Sequence, residues 1–138
     1  MRQEPLSSSS ILLEENLKKA LTELLILRLL MDRDYYIGEL TETLKARSNG
    51  VLNIVFPYSA IYRLQQDGHI CEKEKRNAPD GRRRQYYQIT ESGRTYVRQL
   101  ITIYTAFSSG VNMILAERGR EYDYEVCNDY HRRSPQCG

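Results

Sequence analysis

The sequence predicts a mainly α chain with one small β-hairpin, an α+β fold. Three observations support this fold class. Apolar residues recur every three or four positions through residues 10–31, a pattern typical of an amphipathic helix. Residues 57–90 fit a helix, a tight turn and a hairpin with a basic tip, and apolar residues return at heptad spacing over residues 97–114. Long helices are therefore predicted on both sides of a short hairpin.

The composition limits the size and class of the protein. Its 138 residues suit one domain with one modest core, so a multidomain enzyme is not expected. The 20 Lys and Arg residues nearly balance the 18 Asp and Glu residues, which leaves a formal charge of +2. Residues 73–84 differ, because six basic residues stand there against two acidic ones, a local net charge of +4. Such a patch can attract a polyanion although the whole chain is almost neutral.

Cysteine use and hydropathy indicate a cytoplasmic protein. The three cysteines are odd in number and form no CxxC pair, so we expect no disulfide framework. Residues 1–10 lack the charged start and apolar core of a signal peptide. The longest strongly apolar run, residues 24–31, is interrupted by Arg28 and is too short to span a bilayer. We therefore predict no membrane partner.

The sequence carries no pattern of a catalytic or metal-binding site. Cys127, His131 and Cys137 are of the right types for zinc, but their spacing is poor and a fourth ligand is missing. No Ser-His-Asp pattern, glycine-rich phosphate loop or pair of carboxylates stands out. The sequence therefore predicts neither an enzyme nor a metal or other cofactor.

The first long helix is predicted to start at Ser10, after a flexible polar arm of residues 1–9. The Ser10 hydroxyl can cap the helix, and Glu14 and Glu15 would lie in its first turn, where negative charge is favourable. The apolar stripe is wide, so this helix should be buried on more than one side. Its regularly spaced members are Leu13, Leu17, Leu21, Leu24, Leu27 and Met31.

Two shorter helices are predicted next. The second follows residues 35–38 and ends at residues 48–50, Ser-Asn-Gly, because Asn and Gly readily adopt the left-handed cap conformation. Residues 51–56 fit either a short strand or an early start of the third helix. Proline suits the first turn of a helix and little beyond it, so the third helix, about 54–67, should start between Asn53 and Pro57.

A basic hairpin is predicted over residues 70–89. Residues 79–81, Pro-Asp-Gly, turn the chain, because Pro presets φ near −65° and Gly tolerates positive φ. Arg82, Arg83 and Arg84 follow the turn directly. Three adjacent guanidiniums cannot all be paired locally, so the hairpin tip is expected to take an anionic partner.

The final helix is predicted over residues 91–116, with Thr90 as its cap and a charged tail over residues 117–138. Its apolar residues form a seam at heptad spacing, which needs a partner helix. We predict that this seam and part of the first helix form a dimer interface. The predicted interface residues are Val97, Leu100, Tyr104, Phe107, Val111 and Ile114 in the final helix and Leu17, Leu21 and Leu24 in the first.

This order of helices and hairpin, together with specific residues, resembles the PadR family of bacterial transcriptional regulators. Residues 58–64 (YSAIYRL), 67–70 (DGHI) and 81–93 (GRRRQYYQITESG) match the family pattern of an Arg-Leu pair, a Gly-x-Ile, a basic run and a Tyr-x-Ile-Thr-x-x-Gly. The resemblance covers roughly residues 17–115. Two stretches depart from the family pattern: residues 35–40 are a degraded helix opening, and residues 53–57 replace a small-residue turn.

The resemblance implies a winged helix-turn-helix domain over residues 10–90, with dimerisation helices before and after it. It implies a homodimer in which each subunit supplies one recognition helix and one wing to double-stranded DNA. The predicted function is a dimeric, sequence-specific transcriptional regulator, with repression favoured. The alternative is a winged-helix module that binds a protein partner and does not read DNA.

The candidate DNA contacts lie on the third helix and the hairpin. If Ala60, Ile61 and Leu64 face the core, the opposite side of the third helix can contact DNA. Tyr58 also fits an aromatic at the edge of the core, and the hairpin lysines also fit pairing with neighbouring glutamates. The predicted contacts are Tyr58, Ser59, Tyr62, Arg63, Lys73, Lys75, Arg82, Arg83 and Arg84.

The sequence does not identify an effector. Tyr96 and Tyr104 fit the wall of a small-molecule cavity between dimer helices, but tyrosines that cover a modest core explain them better. The effector therefore remains unknown.

Overall fold

The computed structural model describes residues 8–116, which form four helices and one antiparallel hairpin. The predicted α+β fold class is confirmed. Among the described residues, 8–98 form one compact unit, and 99–116, the larger part of the last helix, belong to another. The predicted tail, with Cys127, His131 and Cys137, lies outside the described residues. The elements are α1 (Ser8–Leu30), α2 (Ile37–Arg47), α3 (Tyr58–Gln66), β1 (Ile70–Asn77), β2 (Arg83–Ile89) and α4 (Glu91–Ala116).

Helix α1 starts two residues before the predicted cap Ser10, at Ser8. Glu14 and Glu15 therefore lie beyond the first turn, where both pair with Lys18 at 3.9 and 3.5 Å. The second half of α1 is buried, as its wide stripe predicted, but the first half is not. Ile11, Leu12, Leu13 and Leu17 are exposed.

The core of the first unit takes side chains from every element up to the start of α4. Helix α1 supplies its C-terminal half, α2 and α3 each supply one apolar face, and the hairpin closes the core at its open end. The fully buried large side chains are Ile26, Leu27, Leu30, Leu40, Ile61, Leu64 and Val97. Val97 was predicted at the dimer interface, and that assignment is wrong, because its side chain lies in the core of its own chain.

The connection between α2 and α3 is neither a strand nor an early helix. Helix α2 ends at Arg47 with Ser48 as its C-cap, and Asn49 and Gly50 take positive φ values of 55° and 83°, as their residue types predicted. Ile54 and Phe56 are then buried in the core. They hold the segment in place, so α3 starts only at Tyr58, four residues after the predicted start of about 54.

The hairpin follows the prediction closely. Residues 70 and 77 pair with residues 89 and 83, and a bulge lies between Glu72 and Lys75. The turn closes with the Gly81 amide donating to the Ala78 carbonyl at 2.9 Å, and Gly81 takes a φ of 85°. The predicted turn at residues 79–81 is therefore confirmed.

Tyr35 forms an isolated antiparallel β-bridge with the hairpin, which the sequence did not predict. Its amide donates to the Tyr87 carbonyl at 3.3 Å, and the Tyr87 amide donates back at 2.9 Å. Both tyrosine side chains are buried. This bridge fixes the base of the hairpin to the segment that leads into α2.

Helix α4 begins at the predicted cap. The Thr90 hydroxyl accepts a hydrogen bond from the Gly93 amide at 3.0 Å and donates to the Gly68 carbonyl at 2.6 Å. The Thr90 amide donates to the His69 carbonyl at 3.0 Å. One residue thus caps α4 and ties it to the turn before β1.

Candidate nucleic-acid interface

One side of α3 is open to solvent, as its sequence predicted. Because Ala60, Ile61 and Leu64 are buried, the opposite side of the helix faces outward. Tyr58 is 74% exposed and Tyr62 is 63% exposed, so Tyr58 is not an aromatic at the edge of the core. The outward side carries Tyr58, Ser59, Tyr62 and Arg63.

Arg63 makes an ion pair that the sequence did not predict. Its Nε lies 2.6 Å from Oε2 of Glu23 on α1. This hydrogen bond raises the pKa of the Arg63 guanidinium above its usual value, and the nearby Glu23 charge adds to the effect. The other Glu23 oxygen accepts a hydrogen bond from the Tyr96 hydroxyl at 3.4 Å. Contact between Arg63 and DNA stays a prediction, and it would compete with Glu23.

Tyr96 connects this ion pair to the start of α4. Its ring stacks on the His69 ring with centroids 4.2 Å apart, and His69 Nδ1 lies 3.0 Å from the Ser92 hydroxyl. Burial raises the pKa of Tyr96, and the neighbouring Glu23 carboxylate raises it further. The Tyr96 side chain therefore makes its aromatic and hydrogen-bond contacts within one chain.

Two of the hairpin arginines are paired inside the chain. Arg84 lies 2.6 Å from Asp80, and Asp80 also accepts the Arg82 amide at 3.0 Å. The Arg84 guanidinium holds the pKa of the Asp80 carboxyl below its usual range. Arg76 reaches Asp34 at 2.9 Å and Glu74 at 3.0 Å. These pairs give the hairpin a defined shape and neutralise part of its charge.

Four cations of the hairpin remain unpaired. Among residues 8–116, these four side chains form no ion pair, so the predicted alternative of pairing with Glu72 or Glu74 does not occur for the lysines. Their charges face solvent and are open to an anionic partner. They are Lys73, Lys75, Arg82 and Arg83.

Stacked aromatic and guanidinium groups join the hairpin to the N-terminus of α2. The Tyr36 and Tyr86 rings meet edge to face at 5.5 Å. Arg84 lies over Tyr36 at 5.2 Å, and Arg76 lies over Tyr86 at 4.5 Å. Burial raises the pKa of Tyr36, as does the nearby Asp80 carboxylate. Sequence reasoning missed Tyr36 and Tyr86, since only the fold brings them together.

A groove of about 250 Å³, which we call the wing groove, lies between α2, α3 and the hairpin. The N-terminus of α2 forms one wall, and its cap residue Tyr36 makes no side-chain hydrogen bond to the helix amides. A helix N-terminus attracts anions through its free amides and its dipole. The groove is lined by Tyr36, Ile37, Gly38, Tyr58, Lys75, Arg83, Arg84, Gln85 and Tyr87.

The second half of α4 presents a broad apolar surface. Its large apolar side chains are mostly exposed, with Phe107 at 71% and Ile114 at 68%. By length and composition alone, α4 is also the one described helix that could cross a bilayer, with a mean hydropathy of 1.2. The exposed members are Ile103, Tyr104, Phe107, Val111, Met113, Ile114 and Leu115.

Known proteins share this arrangement of helices and hairpin. The profile of the transcriptional regulator PadR-like family matches residues 26–99. An uncharacterised protein of Lysinibacillus sphaericus is 30% identical over 79 residues, which cover 56% of this chain and 72% of that protein. A transcriptional regulator from Clostridium thermocellum has a similar structure, with a TM-score of 0.61 at 25% identity over 70% of this chain and 95% of that one. A PadR-like transcriptional regulator from Bacillus cereus gives a TM-score of 0.61 at 23% identity, over 72% and 96%.

The family match covers the elements that build the interface. It spans 74 of the 138 residues and includes α2, α3, both strands and the wing groove. Regulators of this family are not enzymes, which confirms the prediction that the chain has no catalytic role. With more than half of its length matched, the chain belongs to the PadR-like family of transcriptional regulators.

Proposed function

We propose that the protein is a dimeric, sequence-specific DNA-binding regulator of the repressor type. The observation that carries this proposal is the wing groove, which sets unpaired cations and a helix N-terminus beside the first residue of α3. A groove of this charge fits the phosphates of a nucleic acid strand. The exposed side of α3 next to it fits the major groove of the same duplex.

The groove offers two kinds of phosphate donor. The amides at the start of α2, Ile37 and Gly38, have no side-chain cap, and free helix amides bind phosphate oxygens well. Lys75 and Arg83 add full positive charges from the hairpin. Phosphate contacts of this kind fix the position of a protein on DNA and leave sequence reading to other residues.

Residues around the wing groove can add further contacts to the DNA. Arg82, at the tip, is free to reach a phosphate or the minor groove, as Lys73 is free to reach a phosphate. The hydroxyls of Tyr58 and Ser59 supply further hydrogen bonds to the backbone. Arg84 also lines the groove, where its ion pair with Asp80 holds its side chain in place.

The exposed apolar surfaces of α1 and α4 form the proposed dimer interface. Large apolar side chains exposed over several turns mark an interface with a partner. Two subunits related by a two-fold axis would present their α3 helices to half-sites about one helical turn, or ~34 Å, apart. The dimer therefore selects sites by their spacing, and a protein of this kind needs no membrane and works in the cytoplasm.

Removal of the free arginines tests this function. We expect Arg82→Ala with Arg83→Ala to weaken binding to an operator duplex roughly 30-fold and to reduce the slope of log K against log salt by about 2, because two phosphate contacts are lost. Fluorescence anisotropy at several salt concentrations measures both quantities. The matched control is Lys19→Ala with Lys45→Ala, which removes the same charge from exposed positions outside the groove.

The same titration separates the two candidate functions. DNA binding that is absent, or that is salt-insensitive and unchanged in the double arginine variant, contradicts the regulator and favours a module that binds a protein partner. An equal loss in the lysine control would show that total charge, and not the wing groove, carries the binding.

Replacement of Glu23 by glutamine tests the role of Arg63. We expect Glu23→Gln to strengthen DNA binding roughly fivefold, because Arg63 is released from its pair and a negative charge beside α3 is removed. In an Arg63→Ala background, the gain from Glu23→Gln should shrink. An equal gain in both backgrounds, measured by the same anisotropy titration, would show that Arg63 does not contact DNA.

A further inference from the structure

The outward side of α3 and the segment before it expose apolar side-chain surface together with hydroxyl groups. Val55 is 81% exposed in the segment that leads into α3, Tyr58 is 74% exposed in the first turn of the helix, and Tyr62 is 63% exposed one turn later. Residues four apart on a helix lie on one face, so the two tyrosines are neighbours with Ser59 between their positions. We call Val55, Tyr58, Ser59 and Tyr62 the reading face.

The reading face lies beside the groove that fits a phosphate strand. Tyr58 belongs to both surfaces, since it lines the wing groove and starts α3. If the wing groove holds the backbone at Tyr58, the other residues of the reading face would lie toward the edges of the base pairs. An exposed apolar surface is unfavourable in water, so at this position it is expected to contact apolar groups of the DNA in the complex.

The groups that read guanine are not free on this helix. Guanine is read in the major groove by Arg or Lys, and Arg63, the one such residue of α3, is held by Glu23 at 2.6 Å. The exposed amides that flank the reading face, Asn53 and Gln66, have the side chains that pair with adenine. In the major groove, the apolar group that a base offers is the 5-methyl of thymine.

We propose that the reading face recognises thymine methyl groups, so that the half-sites of this protein are rich in A·T pairs and Val55 is a specificity-determining residue. The inference rests on the proposed DNA-binding function and adds the class of sequence that is read. Val55 contributes two exposed methyl groups from the segment before α3, and the ring of Tyr62 contributes a flat apolar surface one turn into the helix. The Ser59 hydroxyl between them remains available to the backbone.

Replacement of thymine by deoxyuridine tests this contact directly. The substitution removes only the 5-methyl group and leaves every phosphate and every hydrogen-bonding group of the base pair in place. With the tightest duplex obtained by selection from a random library, we expect a loss of roughly fourfold in affinity for each methyl that the reading face buries. The loss should occur at one or two positions in each half-site.

A second set of variants assigns the contact to Val55. In Val55→Ala, deoxyuridine at the contacted position should have little further effect, because the partner of the methyl is already gone. Val51→Ala is the matched control, since Val51 is 76% exposed in the same connecting segment but lies four residues farther from α3. This control should keep the full deoxyuridine effect. Both valines are exposed, so neither change is expected to disturb the fold.

The outcomes are distinguishable. If the protein binds its duplex and deoxyuridine changes nothing at any position, the thymine inference is wrong and the DNA-binding function stands. If Val55→Ala keeps the full deoxyuridine effect, Val55 is not the residue that determines the specificity, and that part of the proposal falls. If selection from the random library yields no bound duplex, the regulator function itself fails and the inference falls with it.

Discussion

Replacement of Gly93 by alanine should destabilise the protein by about 3 kcal/mol. The added methyl group would overpack the contact between α4 and the start of the hairpin, where the neighbouring atoms cannot move away. A Cβ atom added at Gly93 would lie 2.1 Å from the His69 carbonyl oxygen and 2.7 Å from a side-chain carbon of Ile89. The His69 carbonyl is fixed, since it accepts the Thr90 amide at 3.0 Å. Relief of the clash therefore means separating α4 from the start of the hairpin.

Urea denaturation followed by circular dichroism measures this loss. Gly110→Ala is the control, because Gly110 lies in the same helix and its added Cβ would meet nothing within 4 Å among residues 8–116. There alanine should raise the free energy of unfolding by up to ~1 kcal/mol through its higher helix propensity. Equal stability of Gly93→Ala and the wild-type protein would contradict the tight junction.

The local structure of this chain was predictable wherever single residues fix the backbone. Gly81 and Asn49 take positive φ, and Thr90 caps α4 through its own hydroxyl. Each of these effects depends on neighbours a few residues away, which the sequence displays directly. The start of α3 was mispredicted because Ile54 and Phe56 are held by the core, and burial of a short segment leaves no periodic signal.

The site shows the same division between local and distant effects. The sequence identified the charged residues of the hairpin, but not which of them are neutralised. Arg63 and Glu23 are 40 residues apart, and Arg76 and Asp34 are 42 apart. Only spacings of three or four along a helix can be read as pairs from sequence. The unpaired cations that carry the proposed function therefore emerged only from the fold.

The heptad pattern of α4 illustrates a different limit. Periodicity identifies the apolar side of a helix but not the surface that covers it. Val97 continues the pattern of Phe107, yet Val97 is 0% exposed and Phe107 is 71% exposed. The first belongs to the core of its own chain, and the second lies on the exposed surface that we propose as the dimer interface.

Replacement of Phe107 by aspartate should convert the proposed dimer into monomers and abolish tight binding to the operator. Phe107 is exposed within the chain, so the variant should fold, but a dimer would bury the new carboxylate without a partner. Light scattering at micromolar concentration should give the mass of one chain for the variant and of two for the wild-type protein. Ser109→Asp is the control, because Ser109 is exposed and lies off the apolar seam of the same helix.

The loss of DNA affinity should far exceed the effect of any single contact. Each subunit supplies one reading face and one wing groove, and a linked pair binds its second half-site at a high effective concentration. Separation of the subunits should therefore weaken operator binding roughly 100-fold or more, although no DNA contact is changed. A wild-type protein that is monomeric, or a Phe107→Asp variant that remains dimeric, would remove the role assigned to α4. Recovery of the wild-type protein only with detergent would instead favour a bilayer as the partner of this helix.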